Sequence, residues 1–323
     1  MISNDHSDFK YTNSVCPPGT HAVLGFAGPR QGVASWLGKP AQIGALEYIS
    51  PDAAFASGWI LKDPAAIFDE LIAAGEGKHL TKAEAELGIN VRNDLLASLG
   101  NEVAAAMDGP ALPVPSWKLV VQVRDANRLQ YTIQQVAQAF NRHAAERGKP
   151  QAQLSQEAVA GRTWHRIVVP GASPYAEAYY TFDNGYLVAA PSRALVERAL
   201  GFKSSGFTLT RSAGFQALLP RDRYADFSGM VYQHMGPTLG PLLEALKGNL
   251  TPEQKKALES ASAEASKPML FTFYAEDDRI IMASTGSLLG LNPANLVRMG
   301  GSMSSLSALM QGRTARRPGT EKQ

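Results

Sequence analysis

The stretch DGPALPVPSWKLVVQVRDANRLQ, residues 108–130, joins the two kinds of element that decide the fold of this chain. In WKLVVQV (117–123) the odd-numbered residues are all apolar, while Lys118 and Gln122 lie on the other side together with Val120. Side chains in a strand alternate between two faces, so this period of two predicts a half-buried antiparallel strand.

An amphipathic helix is predicted directly after this strand. Asp125 is placed to cap its N-terminus. One apolar stripe then runs along the helix at Leu129, Ile133, Val136 and Phe140. A stripe of this kind needs a sheet or another helix to cover it, which makes the chain an α+β protein.

Three prolines, Pro110, Pro113 and Pro115, stand just before the strand. They could form a recognition motif or a stiff spacer between two structural elements. Proline lacks a backbone donor and favours extended geometry, so it stiffens a crossing and keeps it out of the sheet. The sequence favours the spacer.

Further strands and helices are predicted on both sides of this stretch. Strands are predicted at 44–50, 53–61, 102–109, 269–275 and 279–285, with four more between 152 and 190. One helix is predicted after an Asp63 cap, with Pro64 in its first turn, and a second after a Thr81–Glu84 capping box. Another is predicted from Ser192 to Leu200, with Gly201 as its end. Further helices are predicted over 91–99, near 215–219 and 239–247, from Thr251, and over 293–310.

A faint internal repeat links the two halves of the chain. AAFASGWILKDPAAIFDELI (53–72) and ADFSGMVYQHMGPTLGPLLEAL (225–246) share the order Ala-x-Phe, Gly, strand, Pro and Leu-rich helix. We therefore predict a largely antiparallel sheet with amphipathic helices packed on one face, in one full unit and a partial repeat. The predicted domains are a disordered leader (1–20), an α+β lobe (21–205), a smaller α+β lobe (206–311) and a disordered basic tail (312–323).

Composition is that of an ordinary globular protein. The 323 residues are 45% hydrophobic and 19% charged, with a formal net charge of +2. A net charge this small does not indicate a surface that binds nucleic acid. No apolar run is long enough to span a bilayer. Cys16 is the single cysteine, which excludes an internal disulfide framework and a cysteine-based zinc site.

Residues that could carry chemistry each have a simpler structural interpretation. No HExxH pair, G-x-S-x-G elbow, Walker loop or G-x-G-x-x-G is present. His165 shares a strand face with apolar neighbours, which is typical of a core histidine, and His234 follows a strand without a partner in the sequence. Asp277 and Asp278 fall at the tip of a predicted hairpin. The sequence assigns no catalytic, cofactor-binding or metal-binding residue.

Aromatic residues could line a groove for a peptide or a glycan. Trp59 and Trp117 lie in apolar strands, so core packing is the favoured interpretation. Trp164 shares its face with Arg162 and Arg166 and is the better candidate for an exposed contact, although a cation–π pair is the simpler account.

Three segments resemble an uncharacterised bacterial family, domain of unknown function 3352. They are SPDAAFASGWILKDPAAIFDEL, DLLASLGNEVAAAMDGPALPVPSWKLVVQVRDANRLQYTIQQ and FQALLPRDRYADFSGMVYQHMGP, and the resemblance covers about residues 30–290. It implies an exported, envelope-associated protein. No signal peptide is recognisable before the resemblance begins, and a truncated N-terminus would explain the polar start of the chain.

The sequence thus favours a non-catalytic binding or structural module of the bacterial cell envelope, with a protein or an envelope polymer as partner and no cofactor. The alternative is a hydrolase-like enzyme whose site is assembled from distant residues. That site would use His165 or His234 with a carboxylate such as Asp226.

Overall fold

The strands of the described residues form one antiparallel sheet. The computed structural model describes residues 11–15, 20–73, 75, 80–110, 114–172, 176–220, 226–235 and 266–286. Within these ranges the strands are β1 (Tyr11–Val15), β2 (Thr20–Gly25), β3 (Phe55–Ile60), β4 (Leu99–Met107), β5 (Trp117–Val123), β6 (Gln153–Val159), β7 (Arg162–Val168), β8 (Glu177–Asp183), β9 (Tyr186–Ala190), β10 (Gly229–Gln233), β11 (Met269–Ala275) and β12 (Arg279–Ser284). Their order is β1-β2-β12-β11-β10-β3-β4-β5-β9-β8-β7-β6.

Five α-helices accompany the sheet in the described ranges. They are α1 (Pro64–Ala73), α2 (Leu80–Leu87), α3 (Ala126–Glu146), α4 (Arg193–Ser205) and α5 (Ala213–Gln216). Each neighbouring pair of strands is antiparallel. The predicted α+β class with a largely antiparallel sheet is confirmed.

Local sequence signals account for most of these elements. The Asp63 carboxylate accepts from Ala65 N–H at 2.9 Å, and Asp125 accepts from Arg128 N–H at 2.9 Å, so both predicted caps are confirmed. The tight turn between β8 and β9 is also as predicted. Asn184 (φ 46°) and Gly185 (φ 80°) both adopt the left-handed conformation that this turn requires.

The predicted strand at 44–50 is wrong, because Gly44–Tyr48 form a turn of 3-10 helix. Ala45, Leu46, Tyr48 and Ile49 are all buried, and their spacing does not match the period of two that a half-buried strand needs. The turn packs on the sheet at Gly58, where the absence of a side chain leaves space for it. A Cβ at Gly58 would come within 2.8 Å of the Leu46 side chain.

Helix boundaries differ from the predictions in three places. Residues 91–99 form a π turn (Val91–Leu95) and a 3-10 turn (Leu96–Ser98) before β4 begins. Helix α2 already includes Thr81, and the Glu84 carboxylate accepts from Val91 N–H at 2.7 Å instead of closing a capping box. Helix α4 continues through Gly201 and ends at Gly206 (φ 73°), the position that needs a left-handed residue.

Strand β5 buries the face that carries its lysine. Lys118 is 2% exposed and Val120 is fully buried, whereas Leu119 is 37% exposed. The Lys118 face packs under the Gly44–Tyr48 turn and α4, and it belongs to the large core cluster with Leu46, Val188 and Val196. Alternation along the strand was correctly predicted, but it did not show which face the rest of the chain would cover.

Helices lie on both faces of the sheet, rather than on one as predicted. Val196 of α4 packs on the face that carries Val120, and α5 contributes Phe215 to the same core. Helix α3 reaches the opposite face, where the Tyr180 hydroxyl of β8 donates to Gln130 at 2.9 Å. Part of the predicted α3 stripe stays open to solvent, since Phe140 is 47% exposed.

The predicted repeat units meet at the centre of the sheet. Strands β3 and β10 pair directly, with Trp59 opposite Gly229 and Phe55 opposite Gln233. Strand β1 lies within the stretch predicted as a leader. Several predicted features lie outside the described residues, namely Cys16, the helices at 239–247, from 251 onward and at 293–310, and the basic tail. The domain division stays a prediction.

Candidate ligand pocket

A pocket of about 590 Å³ opens between the first turns of α3 and the strands β6, β7 and β8. This volume lies in the range of about 300–1,000 Å³ that small-molecule sites occupy. Its floor is the sheet face that carries Gln156, His165 and Phe182, and its wall is Asn127 and Gln130 of α3. We call this cavity the His165 pocket.

Two hairpin turns form the rim of the His165 pocket. One contains Ala160 (φ 51°) and Gly161 (φ 76°), and the other contains Asn184. The first turn was predicted one residue later, at Gly161-Arg162. Ala160 is a non-glycine residue in the left-handed region, a conformation that costs about 1–2 kcal/mol. The two-residue hairpin between β6 and β7 requires this conformation at both of its central residues.

His165 is the most buried of the described residues that line the pocket. His165 is 7% exposed, and neither ring nitrogen hydrogen-bonds to a residue in the described part of the chain. The ring stacks on Tyr180, with centroids 4.8 Å apart and planes inclined by 12°, and meets the edge of Phe182 at 6.0 Å. A buried imidazole without a partner is costly unless a ligand or water satisfies it.

Burial decides the charge of His165. Desolvation lowers the pKa of the imidazole below its ordinary value of about 6.5, so the ring is neutral at pH 7. A neutral imidazole carries one donor and one acceptor. His165 therefore presents both hydrogen-bonding functions to the pocket.

Carboxamides supply the other polar groups. The Tyr180 hydroxyl donates to Gln130 Oε1, which leaves the Gln130 amide group without a partner among the described residues. Gln156 lies directly opposite His165 in the β6–β7 register, and its side chain is exposed on the same sheet face. Asn127 is exposed at the start of α3. Each of these amides can donate and accept.

The charged residues of the pocket neutralise one another. Arg162 Nη1 lies 2.9 Å from Asp183 Oδ1, and Asp183 Oδ2 also accepts from the Tyr48 hydroxyl at 2.9 Å. Burial works to raise the pKa of the Asp183 carboxyl, but the hydrogen bonds from Arg162 and Tyr48 outweigh it and hold this pKa below its ordinary value. Asp183 is thus an ionised structural carboxylate.

Residues proposed for the alternative enzyme do not meet. His165 lies in β7, and Asp226 lies just before β10, six strands away in the sheet. At about 4.8 Å between neighbouring strands, the two residues are roughly 29 Å apart along the sheet. His234 lies at the far end of β10 from Asp226. In the described ranges, no carboxylate forms an ion pair with His165.

Two other predicted sites have structural roles. Asp277 and Asp278 lie in the β11–β12 hairpin turn as predicted, and Asp278 pairs with Arg279 at 2.9 Å. Trp164, the better candidate for an exposed contact, is 7% exposed and belongs to the core. A cation–π contact is present there, but the cation is Arg193 of α4, 4.7 Å from the ring.

A buried ion pair lies on the opposite sheet face and was not predicted. The Lys118 ammonium contacts the Asp108 carboxylate and also donates to Tyr48 O at 2.9 Å. Asp108 accepts in addition from the hydroxyl and the N–H of Ser50. Both Asp108 carboxylate oxygens and the Lys118 ammonium are engaged in these contacts. The pair therefore connects the Gly44–Tyr48 turn to the sheet and does not present a binding group to a ligand.

The stability of the protein should depend on pH through His165. Because its folded pKa is lowered, the stabilising effect of the neutral ring is fully present above about pH 6.5 and is lost as pH falls toward the folded pKa. Between pH 7 and pH 5, the wild type should lose more unfolding free energy than His165→Gln, by at most about 1.4 kcal/mol per pH unit. Urea denaturation at both pH values measures this, and equal losses would contradict it.

No metal site or membrane span emerges from the described ranges. No group of three or more His, Cys, Asp or Glu residues there is arranged to hold a metal ion. Among the helices of the same ranges, none combines the length and the apolar character needed to cross a bilayer.

Comparisons with known proteins leave the chain without an assigned relative. No family model matches it, and no curated protein matches it. Two similar solved structures are crystal forms I and III of TP0453, with 12% and 11% identity and TM-scores of 0.27 and 0.28. Both alignments cover 75% of this chain, and they cover 92% and 94% of the other chains. Identities and TM-scores this low do not support any statement about function. The resemblance to domain of unknown function 3352 stays a prediction.

Proposed function

We propose that this protein is a non-catalytic binding module that holds a small polar ligand in the His165 pocket. One observation carries the proposal: a buried, neutral imidazole without a hydrogen-bond partner among the described residues faces a cavity of ligand size. A site that is built to hydrogen-bond a ligand presents polar groups of this kind to water until the ligand replaces that water.

Binding is favoured over catalysis by the surroundings of His165. A histidine base needs a group that orients it and a substrate atom that it can deprotonate. Here the ring is held by stacking on Tyr180, and the nearby carboxylate of Asp183 is engaged by Arg162 and Tyr48. The residues around the pocket supply hydrogen bonds and a rigid shape, which are the needs of recognition.

The bacterial cell envelope is part of this proposal and comes from the sequence resemblance over about residues 30–290. In that setting the binding partner would be an envelope polymer or a protein that displays a polar group. The family assignment and the compartment are supported by that resemblance alone.

A chemical-shift screen tests the proposal. The protein is labelled with ¹⁵N-histidine, the His165 ring signals are identified by their loss in His165→Gln, and neutral sugars, amino acids, carboxylic acids and phosphates are added in turn. We expect at least one class to shift the His165 signals saturably and to be recovered unchanged.

Two outcomes would overturn the binding function. One is that no compound shifts the His165 signals. The other is that the wild type converts a compound, for example a nitrophenyl ester, which His165→Gln leaves intact.

A further inference from the structure

We infer that the His165 pocket takes a neutral, polyhydroxylated ligand, that is, one or a few sugar units. This inference rests on the proposed binding function and adds the chemical class of the ligand. It follows from the charges that face the pocket, from the kind of hydrogen-bonding groups that line it, and from one aromatic side chain.

Charge excludes an anion or a cation as the favoured ligand. A charged ligand needs an opposite charge that is not already compensated. The cation and the anion among the described lining residues, Arg162 and Asp183, are paired with each other at 2.9 Å. The positive end of α3 is compensated as well, because the Asp125 carboxylate caps it through Arg128 N–H. The pocket is therefore electrically balanced before any ligand arrives.

The remaining polar groups match hydroxyls. A hydroxyl both donates and accepts, and so do the neutral His165 ring and the amides of Asn127, Gln130 and Gln156. These side chains come from two elements, α3 on one side and β6–β7 on the other, so they can contact different hydroxyls of one ligand. An apolar ligand would leave all of these groups unsatisfied, which strongly disfavours it.

Phe182 supplies the apolar part of the site. It is half-buried, lines the pocket, and is fixed by edge contacts to His165 and Tyr180 at 6.0 and 6.1 Å. A sugar ring carries C–H groups beside its hydroxyls, and an aromatic side chain can cover them while the polar groups bind the hydroxyls. The combination suits a sugar better than a small ion or a free amino acid.

The test titrates the His165 ring signals of the whole protein with glucose, galactose and N-acetylglucosamine, and in parallel with phosphate, acetate, glycine and alanine. We expect a saturable shift from at least one sugar and none from the ions or amino acids. Gln156→Ala should weaken sugar binding roughly 2- to 12-fold, the net effect of one hydrogen bond.

Gln153→Ala is the matched control. Gln153 is an exposed glutamine of the same edge strand that does not line the pocket, so this variant should bind the sugar like the wild type. Both glutamines are exposed, and neither replacement disturbs the core.

The possible failures are distinguishable. Saturable binding of phosphate, acetate or an amino acid without any sugar would overturn the sugar class and leave the binding function standing. A sugar shift that Gln156→Ala does not weaken would place the sugar elsewhere and overturn the inference. If no probe shifts His165, both the inference and the proposed function fall.

Discussion

Replacing Lys118 by Met should destabilise the protein by about 3–5 kcal/mol, because it leaves the Asp108 carboxylate buried without its cation. Both side chains are 2% exposed, so solvent cannot replace the lost partner. Desolvation opposes ionisation of the Asp108 carboxyl, and Lys118 and Ser50 are the groups that hold its pKa below the ordinary value. The lost ammonium also leaves Tyr48 O without its donor.

Two further variants separate charge from packing. In Asp108→Asn with Lys118→Met, the amide oxygen still accepts from Ser50 and no charge is buried, so most of the lost stability should return. Lys82→Met replaces a lysine whose side chain is 82% exposed and should change stability by no more than about 0.5 kcal/mol. Urea denaturation gives all three values. A Lys118→Met protein as stable as Lys82→Met would show that the buried pair does not anchor the turn.

Replacing Gly229 by Ala should destabilise the protein by about 1–3 kcal/mol through overpacking. Gly229 lies in β10 directly between Trp59 of β3 and Phe273 of β11. A Cβ at this position would be 2.2 Å from Trp59 Cε3 and 2.5 Å from Cζ3. The Trp59 ring cannot move aside freely, since it packs against Phe273 with centroids 5.1 Å apart. Thermal and urea denaturation would both report the loss.

Gly201→Ala is the matched control for this second prediction. Gly201 lies inside α4 and is exposed, and a methyl group at this position would have no neighbouring atom within 4 Å, so alanine should stabilise the helix by about 0.5–1 kcal/mol. Opposite signs for the two glycine replacements are expected. Destabilisation by Gly201→Ala would mean that the helix ends at Gly201, and a neutral Gly229→Ala would mean that the sheet centre adapts.

Caps, turns and strand periodicity were predictable because each depends on residues that are close in the chain. Asp63 and Asp125 cap the helices that follow them, and the Asn184-Gly185 turn has the backbone conformation that its residue types favour. The alternation of WKLVVQV likewise shows a strand by itself. These signals were enough for the fold class.

Burial and the pocket were decided by contacts between distant parts of the chain. The sequence places Lys118 on the strand face opposite Leu119, and in the structure the Gly44–Tyr48 turn covers that face while Asp108 neutralises the charge. His165 had the pattern of a core histidine, and only the approach of α3 to β6–β8 leaves its ring facing a cavity. Local sequence specifies which conformation a segment adopts, whereas the face that becomes buried depends on which other segment packs there and on how the charges are compensated.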